Sequence, residues 1–209
     1  VDIRDYITLE DVMKKYGLGP NGGLIMAVSL SADFVEDIRR EIEEFKPNYV
    51  IVDTPGQLEL FSFRGAGRII MNALSGKDKV VTLFLLDGSI IGNVFSFISM
   101  VLLAASVAAY HGFPQVTVIN KADLLDSDSA NRIIEWIEEP STLQAELLRS
   151  RLWLNLPMDV IESIIRSVIP EPLMVSAKEY SGLDRLYAAL QRYLAGGEDF
   201  LTEEPSEIL

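Results

Sequence analysis

The chain has 209 residues, 49% of them hydrophobic, and a formal net charge of -13. This length and apolar content suit one α/β domain with a sizeable core, and the negative charge argues against nonspecific binding to nucleic acid or to an anionic membrane. The sequence contains no cysteine and one histidine, His111. Disulfides and thiolate zinc sites are therefore excluded, a histidine-based catalytic or metal site is disfavoured, and a reducing, cytoplasmic location is expected.

The first elements that the sequence predicts are two helices with a loop between them. Thr8 is followed three positions later by Asp11, a pattern that marks the start of a helix. Residues 17–23 contain four glycines, which predicts either a plain turn or a loop that fits closely against a ligand. Apolar and charged residues then alternate at helical spacing over residues 31–45, which predicts an amphipathic helix.

The first candidate site follows the next apolar run. Residues 49–52 are β-branched or aromatic and predict a short buried strand that ends at Asp53. A carboxylate at the carboxyl end of such a strand can hold Mg²⁺ directly or through water. Gly56 would let a backbone N–H approach a phosphate oxygen, and Gln57 can orient a water. This stretch resembles the Asp-x-x-Gly-Gln element of GTPases, and a strand with a Pro-Gly turn and no ligand is the alternative.

Two helices and two strands are expected in the middle of the chain. The helices are predicted over residues 64–74 and 94–110, and the strands over residues 79–86 and 115–119. The second helix is uncharged, yet it contains serines and lacks a flanking basic cluster, and membrane spans usually need about 20 apolar residues. We therefore interpret it as a helix buried against the sheet, with a possible place at a subunit interface.

The second candidate site is the tetrapeptide Asn-Lys-Ala-Asp at residues 120–123, directly after the predicted strand. It matches the Asn-Lys-x-Asp guanine box of GTPases. A carboxylate at Asp123 can accept from guanine N1–H and from the exocyclic amine together, whereas adenine offers no such donor pair. Asn120 would contact the base edge or brace the loop, and the aliphatic stem of Lys121 would lie across the base or ribose. The pattern therefore favours a guanine nucleotide.

The third candidate site comes after a predicted short strand at residues 173–175. Ser176, Ala177 and Lys178 resemble the Ser-Ala-Lys element of GTPases, in which the alanine N–H donates to guanine O6 and the lysine stem packs nearby. A helix is expected to follow over residues 182–194. Serine, alanine and lysine are common residues, so this tripeptide supports the resemblance only because it follows the other two motifs and precedes a predicted helix.

Helices separated by prolines are predicted between the second and third candidate sites, over residues 131–139, 141–154 and 158–168. Their tryptophans and leucines are explained as core residues. The last residues, 196–209, form an acidic tail that is expected to fray.

Three segments in order resemble the GPN-loop GTPases. They are Asp-Ile-Arg-Asp at residues 2–5, the tripeptide Gly19-Pro20-Asn21, and Asp-Thr-Pro-Gly-Gln-Leu-Glu at residues 53–59. In that family the Gly-Pro-Asn loop of each subunit of a homodimer reaches into the nucleotide site of the other. The resemblance therefore implies that Asn21 acts in trans on the γ-phosphate and the attacking water, and that Glu59 helps Gln57 to hold this water.

The resemblance also implies a fold and an activity. The fold would be a single α/β domain over residues 1–209 with a mostly parallel sheet flanked by helices, P-loop GTPase-like, and a helical insertion at residues 131–170 before the last strand. The activity would be hydrolysis of GTP to GDP and phosphate with Mg²⁺ bound at Asp53, coupled to a conformational change of a homodimer. RNA polymerase or its assembly factors are implied as partners, without direct contact to nucleic acid or membrane.

One family motif is absent from the sequence. The phosphate-binding loop, Gly-x-x-x-x-Gly-Lys-Ser/Thr, does not occur. We expect that the sequence is a fragment that lacks the first strands of its domain, and the alternative is a protein that has lost the phosphate site. Two further functions stay open, a nucleotide-free scaffold or assembly module on the same fold and an ATPase, which Asp123 disfavours.

Overall fold

The computed structural model describes residues 1–63, 65–149 and 157–195, without side-chain detail for residues 59 and 60. The chain divides into two compact units, a first unit over Val1–Asp78 and a second unit that begins at Lys79. The expected organisation as one domain stays a prediction.

The described part of the first unit is helical. Its α-helices are α1 (Leu9–Tyr16), α2 (Pro20–Ser31), α3 (Val35–Glu44), α4 (Leu58–Phe61) and α5 (Gly65–Ser75). The predicted start of α1 is confirmed, because the Asp11 N–H donates to the Thr8 hydroxyl at 3.2 Å and this hydroxyl donates to the Asp11 carboxylate at 2.7 Å. The amphipathic helix predicted over residues 31–45 is also present, as a 3-10 turn at Ala32–Phe34 followed by α3.

The glycine-rich segment is only partly a loop. Gly17 ends α1 with a left-handed φ of 63°, but α2 already begins at Pro20. Proline is favoured at the first helical position, because the N–H that it lacks would have no partner within the helix. Gly23 lies inside α2, and a Cβ there would meet Met13 Cγ at 2.5 Å. This glycine therefore allows α1 and α2 to pack closely, and it does not belong to a ligand-binding loop.

The prediction of a buried strand at residues 49–52 is wrong. These residues form no strand in the structure, and Ile51 is 94% exposed. A strand is stabilised by hydrogen bonds to a neighbouring strand, and no strand occurs in the described part of the first unit. The apolar residues at 49–52 are thus compatible with a strand, but no neighbouring strand is present in the described part of the first unit to pair with them.

The second unit contains a parallel pair of strands. Strands β1 (Thr82–Asp87) and β2 (Gln115–Asn120) are in register along their whole length, and Asp87 pairs with Asn120 at their carboxyl ends. Helix α6 (Val94–His111) connects them, as a crossover between parallel strands requires. Met174 forms a parallel bridge to Ile119 on the free side of β2. The described residues thus confirm a parallel sheet with flanking helices.

The remaining helices of the second unit are α7 (Ser127–Glu138), α8 (Pro140–Arg149), α9 (Met158–Val168) and α10 (Leu183–Leu194). Helices α7 to α9 occupy the region that was predicted as a helical insertion at residues 131–170, and its status as an insertion stays a prediction. Residues 150–156, which include the last five residues of the helix predicted at 141–154, lie outside the described residues, as does the acidic tail predicted at residues 196–209.

Helix α6 has one face buried in the core. The residues on this face recur at helical spacing and are Val94, Phe97, Ile98, Val101, Ala104, Val107 and His111. The Phe97 and Trp136 rings lie 5.3 Å apart, and α6 packs against β1, α8 and α9. By length and composition α6 could also cross a membrane, and it is the one described helix of which this is true. Its contacts favour the core helix that the sequence indicated.

Candidate functional site

The carboxyl ends of the parallel strands carry the candidate site of the second unit. Strand β1 ends at Asp87, β2 ends at Asn120, and Ser176 comes two residues after the bridge at Met174. In open α/β sheets this edge is where ligands bind. The second and third sites predicted from the sequence therefore meet at one edge of the sheet.

The loop after β2 has an unusual backbone. Lys121 adopts a left-handed conformation, with φ 60° and ψ 37°, before a 3-10 turn at Ala122–Leu124. Residues other than glycine rarely adopt this conformation unless their surroundings hold them in it, and such positions cluster at functional sites. The Ala122 N–H donates to the Val175 carbonyl at 3.0 Å. This hydrogen bond ties the loop to the segment that carries Ser176.

Asp123 is held in place by Ser176. The Ser176 hydroxyl donates to Asp123 Oδ1 at 2.5 Å and accepts from the Glu179 N–H at 3.0 Å. Ser176 is fully buried, whereas Asp123 is exposed. A buried hydroxyl thus orients an exposed carboxylate, which is the arrangement that a base-reading group needs. Ser176 was predicted to bind nucleotide, and in this structure its side chain contacts Asp123 instead of facing solvent.

Asn120 braces the same loop, which is one of the two roles predicted for it. Its Oδ1 accepts from the Ala177 N–H at 3.3 Å. Ala177 is exposed, and the donation of its N–H to guanine O6 stays a prediction. Lys178 is also exposed, and its ammonium lies 3.4 Å from the Glu179 carboxylate. The structure therefore brings Asn120, Asp123, Ser176 and Ala177 together, with Lys178 beside them.

One residue of this site was missed by sequence reasoning. Asp87 Oδ2 accepts from Lys121 Nζ at 2.6 Å, and its Oδ1 accepts from the Ser89 N–H and hydroxyl at 3.0 Å and 2.6 Å. The hydrogen bond from Lys121, followed by those from Ser89, holds the pKa of Asp87 below its ordinary value. An aspartate at the carboxyl end of a predicted strand is the signal that singled out Asp53, and the same signal marks Asp87 at the end of the strand predicted over residues 79–86.

The Gly-Pro-Asn tripeptide lies at the amino terminus of α2. Gly19 precedes the helix, Pro20 is its first residue, and all three residues including Asn21 are exposed. No side chain caps this helix, and its first turn carries no acidic residue. A helix amino terminus of this kind favours an anion. The sequence predicted a loop here, and the structure presents the same residues on the first turn of a helix.

The remaining candidate residues of the first unit lie in the segment between α3 and α4 and at the start of α4. Asp53, Gly56 and Gln57 are exposed, and Gln57 is the residue before α4. Glu59 lies in α4, and its side chain is outside the described part of the structure. The described residues contain no group of three or more histidine, aspartate or glutamate side chains that could hold a metal. Asp53 could supply one carboxylate to a metal ion.

The comparisons with known proteins identify the family. A family model described as "Conserved hypothetical ATP binding protein" matches residues 1–196. The chain is 31% identical to the GPN-loop GTPase QQT2 of Arabidopsis thaliana over 96% of this chain and 52% of that protein. It is 28% identical to GPN-loop GTPase 1 of Dictyostelium discoideum over 90% of this chain and 48% of that protein. The chain belongs to the GPN-loop GTPase family.

A solved structure confirms the fold. An apo crystal structure of a GTPase from Pyrococcus abyssi superposes with a TM-score of 0.73, at 23% identity, over 92% of this chain and 77% of that chain. The α/β, P-loop GTPase-like fold predicted from the sequence is therefore correct. The chain spans about half the length of the curated GPN-loop GTPases it matches.

Proposed function

We propose that the intact protein binds GTP and hydrolyses it to GDP and phosphate. The observation that carries this proposal is the hydrogen bond of 2.5 Å from buried Ser176 to exposed Asp123. A carboxylate fixed in this way can accept both donors on the guanine edge at once, and adenine has no such pair. The matching family model is described as ATP binding, whereas the named relatives are GTPases. The chemistry of Asp123 favours guanine between these two.

The hydrolysis step is proposed as an in-line attack by water. Water attacks the γ-phosphorus, the bond from this phosphorus to the β–γ bridging oxygen breaks, and GDP leaves with inorganic phosphate. The amide oxygen of Gln57 and the carboxylate of Glu59 would together hold this water. Positioning of this kind provides most of the catalysis in phosphoryl transfer. The exposure of Gln57 beside the start of α4 supports this role, because a water-binding side chain must be accessible.

Magnesium is proposed as the cofactor. Mg²⁺ usually keeps several waters and takes one or two carboxylates together with phosphate oxygens. The single exposed carboxylate of Asp53 fits that requirement, and a dedicated cage of several acidic residues is not needed. When bound, the ion would neutralise charge that develops on the phosphate oxygens. Asp53 would hold it directly or through a water.

A homodimer is proposed for the same activity. The amino terminus of α2 has exposed backbone and no acidic residue in its first turn, so it can approach a phosphate without repulsion. Asn21 at this position would act on the γ-phosphate of a second copy, and hydrolysis would change the shape of the dimer. RNA polymerase or its assembly factors as partners, and a cytoplasmic location, stay predictions from the family resemblance.

The test is nucleotide turnover by the full-length gene product. We expect magnesium-dependent hydrolysis of GTP in preference to ATP, and loss of GTP turnover in Asp123→Asn. Xanthine carries a carbonyl oxygen where guanine carries its amine, so the amide of Asp123→Asn should donate to it and turnover of XTP should rise. Asp126 is a nearby aspartate that caps α7. Asp126→Asn is therefore the matched control, and it should keep GTP turnover.

Two results would contradict the proposal. Turnover of ATP equal to that of GTP would show that Asp123 does not read the base. Failure of the full-length protein to bind either nucleotide would leave the scaffold or assembly module as the better account.

A further inference from the structure

We propose that Asp87 is a positioning residue of the guanine site. It would hold Lys121, and through Lys121 the loop at residues 120–123, in the conformation that receives the base. The inference rests on the proposed function, since it assigns a role within that same site. It adds a residue from β1 to a site that is otherwise built from the segments after β2 and around Ser176.

The Asp87 carboxylate is itself fixed on both of its oxygens. Ser89 donates to Oδ1 through its N–H at 3.0 Å and its hydroxyl at 2.6 Å, while Lys121 Nζ donates to Oδ2 at 2.6 Å. A carboxylate that accepts two hydrogen bonds from one neighbour has a defined orientation. It can therefore restrain the flexible stem of Lys121, whose side chain is 51% exposed.

The backbone joins the same two segments. Asp87 and Asn120 are register partners at the ends of β1 and β2, and the Gly88 N–H donates to the Asn120 carbonyl at 2.8 Å. Gly88 is buried, and a Cβ there would meet that carbonyl oxygen at 2.8 Å. The turn after β1 thus lies directly against the guanine loop, and a glycine is needed for the close approach.

The conformation of Lys121 explains why a restraint is needed. Its φ of 60° is uncommon for a residue other than glycine. Asparagine and aspartate can stabilise this conformation through a local hydrogen bond from their short polar side chains, but a lysine side chain cannot. Lys121 stands between Asn120 and Asp123, so its backbone angles set the directions of both side chains. If the ammonium were released from Asp87, the loop would sample other conformations, and fewer molecules would present Asp123 correctly to guanine.

The experiment compares two aspartates that make the same kind of serine contact. Asp126 accepts from the Ser129 N–H at 2.7 Å and hydroxyl at 3.0 Å, but the ion pair with Lys121 belongs to Asp87. We expect Asp87→Asn in the full-length protein to raise the Kd for GDP about tenfold and Asp126→Asn to leave it within about twofold. Asp87→Glu, which keeps the charge, should recover part of the affinity.

A double-mutant cycle tests whether Asp87 acts through Lys121. Lys121→Met should weaken GDP binding, and Asp87→Asn combined with Lys121→Met should be no weaker than Lys121→Met alone. Additive losses would overturn the inference, because Asp87 would then act by a route other than Lys121.

Hydrogen exchange of the nucleotide-free protein gives a readout that does not depend on GTP. We expect the amides of residues 120–123 to exchange faster in Asp87→Asn and not in Asp126→Asn. Wild-type protein that fails to bind GDP would contradict the proposed function, and the exchange comparison would still decide the positioning role. Equal exchange in both variants and wild type would overturn that role.

Discussion

The Ser176 hydroxyl lies 2.5 Å from Asp123 Oδ1 and joins two motifs that are 53 residues apart in the sequence. Ser176 is buried beside the core residues Val175 and Leu173, and Asp123 is exposed at the end of the sheet. The position of the exposed carboxylate is therefore set by a residue that belongs to the core. Substitutions in that part of the core should therefore change the position of the Asp123 carboxylate in the proposed guanine site.

Replacing Ser176 with alanine is expected to weaken GDP binding about tenfold, because the Asp123 carboxylate would lose the donor that orients it. The Glu179 N–H would lose its acceptor as well, so the free energy of unfolding should fall by about 1 kcal/mol. Isothermal titration with GDP and urea unfolding measure the two effects. Ser181→Ala is the control, since Ser181 pairs with Ser176 through its backbone carbonyl. An unchanged Kd in Ser176→Ala would show that this hydrogen bond does not matter for binding.

The stability that Asp87 contributes is expected to depend on pH. The Lys121 ammonium, followed by Ser89, lowers the pKa of Asp87 in the folded protein relative to its value of about 3.9 in an unfolded chain. A carboxyl group with a lowered folded pKa stabilises the protein above the unfolded pKa, and this contribution is lost as the pH falls through the folded value. The difference in unfolding free energy between wild type and Asp87→Asn should thus be constant above pH about 5 and shrink below pH about 4.

Chemical denaturation of both proteins across this pH range measures that difference. The control used for nucleotide binding, Asp126→Asn, is unsuitable here, because the pKa of Asp126 is also lowered by the Ser129 N–H and hydroxyl. Ser89→Ala is better, since it removes one of the hydrogen bonds that lower the pKa of Asp87 and should move the transition toward higher pH. A difference that stays constant down to pH about 3 would contradict the prediction.

Two glycines of α5 should respond to alanine in opposite directions. In a helix interior, alanine is more stable than glycine by about 1 kcal/mol; Gly65 is the first residue of α5, so a smaller gain is expected there, and no atom of the described residues lies within 4 Å of a Cβ placed on it. A Cβ at Gly67 would meet the Phe61 carbonyl oxygen at 2.0 Å, so α4 and α5 would have to separate. We expect Gly65→Ala to raise the midpoint of thermal unfolding slightly and Gly67→Ala to lower it. Equal shifts in both variants would show that α4 does not pack on α5 as described.

The meeting of residues 120–123 with Ser176 could be predicted from the sequence, because it depends on features that each segment shows by itself. Residues 120–123 and Ser176 each follow a short apolar stretch, and the carboxyl ends of parallel strands meet at one edge whatever the details of packing. The strand-end position of Asp87 is visible in the sequence, but its contact with Lys121 is not, because that contact depends on the register of β1 against β2, which places Asp87 beside Asn120. Register is a property of two strands together, and one strand read alone does not reveal it.

The first unit was harder to predict for related reasons. The apolar residues at 49–52 indicate a strand, yet a strand also needs a neighbour, and the structure leaves Ile51 94% exposed. The glycines at 17–23 indicate a loop, yet Pro20 starts α2 and Gly23 packs against Met13. In both cases the tertiary neighbours of the segment, and not its local composition, decided its structure: residues 49–52 lack a neighbouring strand in the described part of the first unit, and Gly23 packs against Met13.

Helix α6 is expected to behave as part of the core of the protein. The Phe97 side chain is fully buried and its ring lies 5.3 Å from that of Trp136, so Phe97→Ala should lower the free energy of unfolding by about 3 to 5 kcal/mol. Ser99 is two residues away and exposed, and Ser99→Ala should change stability by less than about 0.5 kcal/mol. Urea unfolding without detergent measures both. In a membrane span, Phe97 would face lipid or another helix, and Phe97→Ala would not change the free energy of unfolding measured in water. A small effect of Phe97→Ala would therefore favour a membrane location over a core helix.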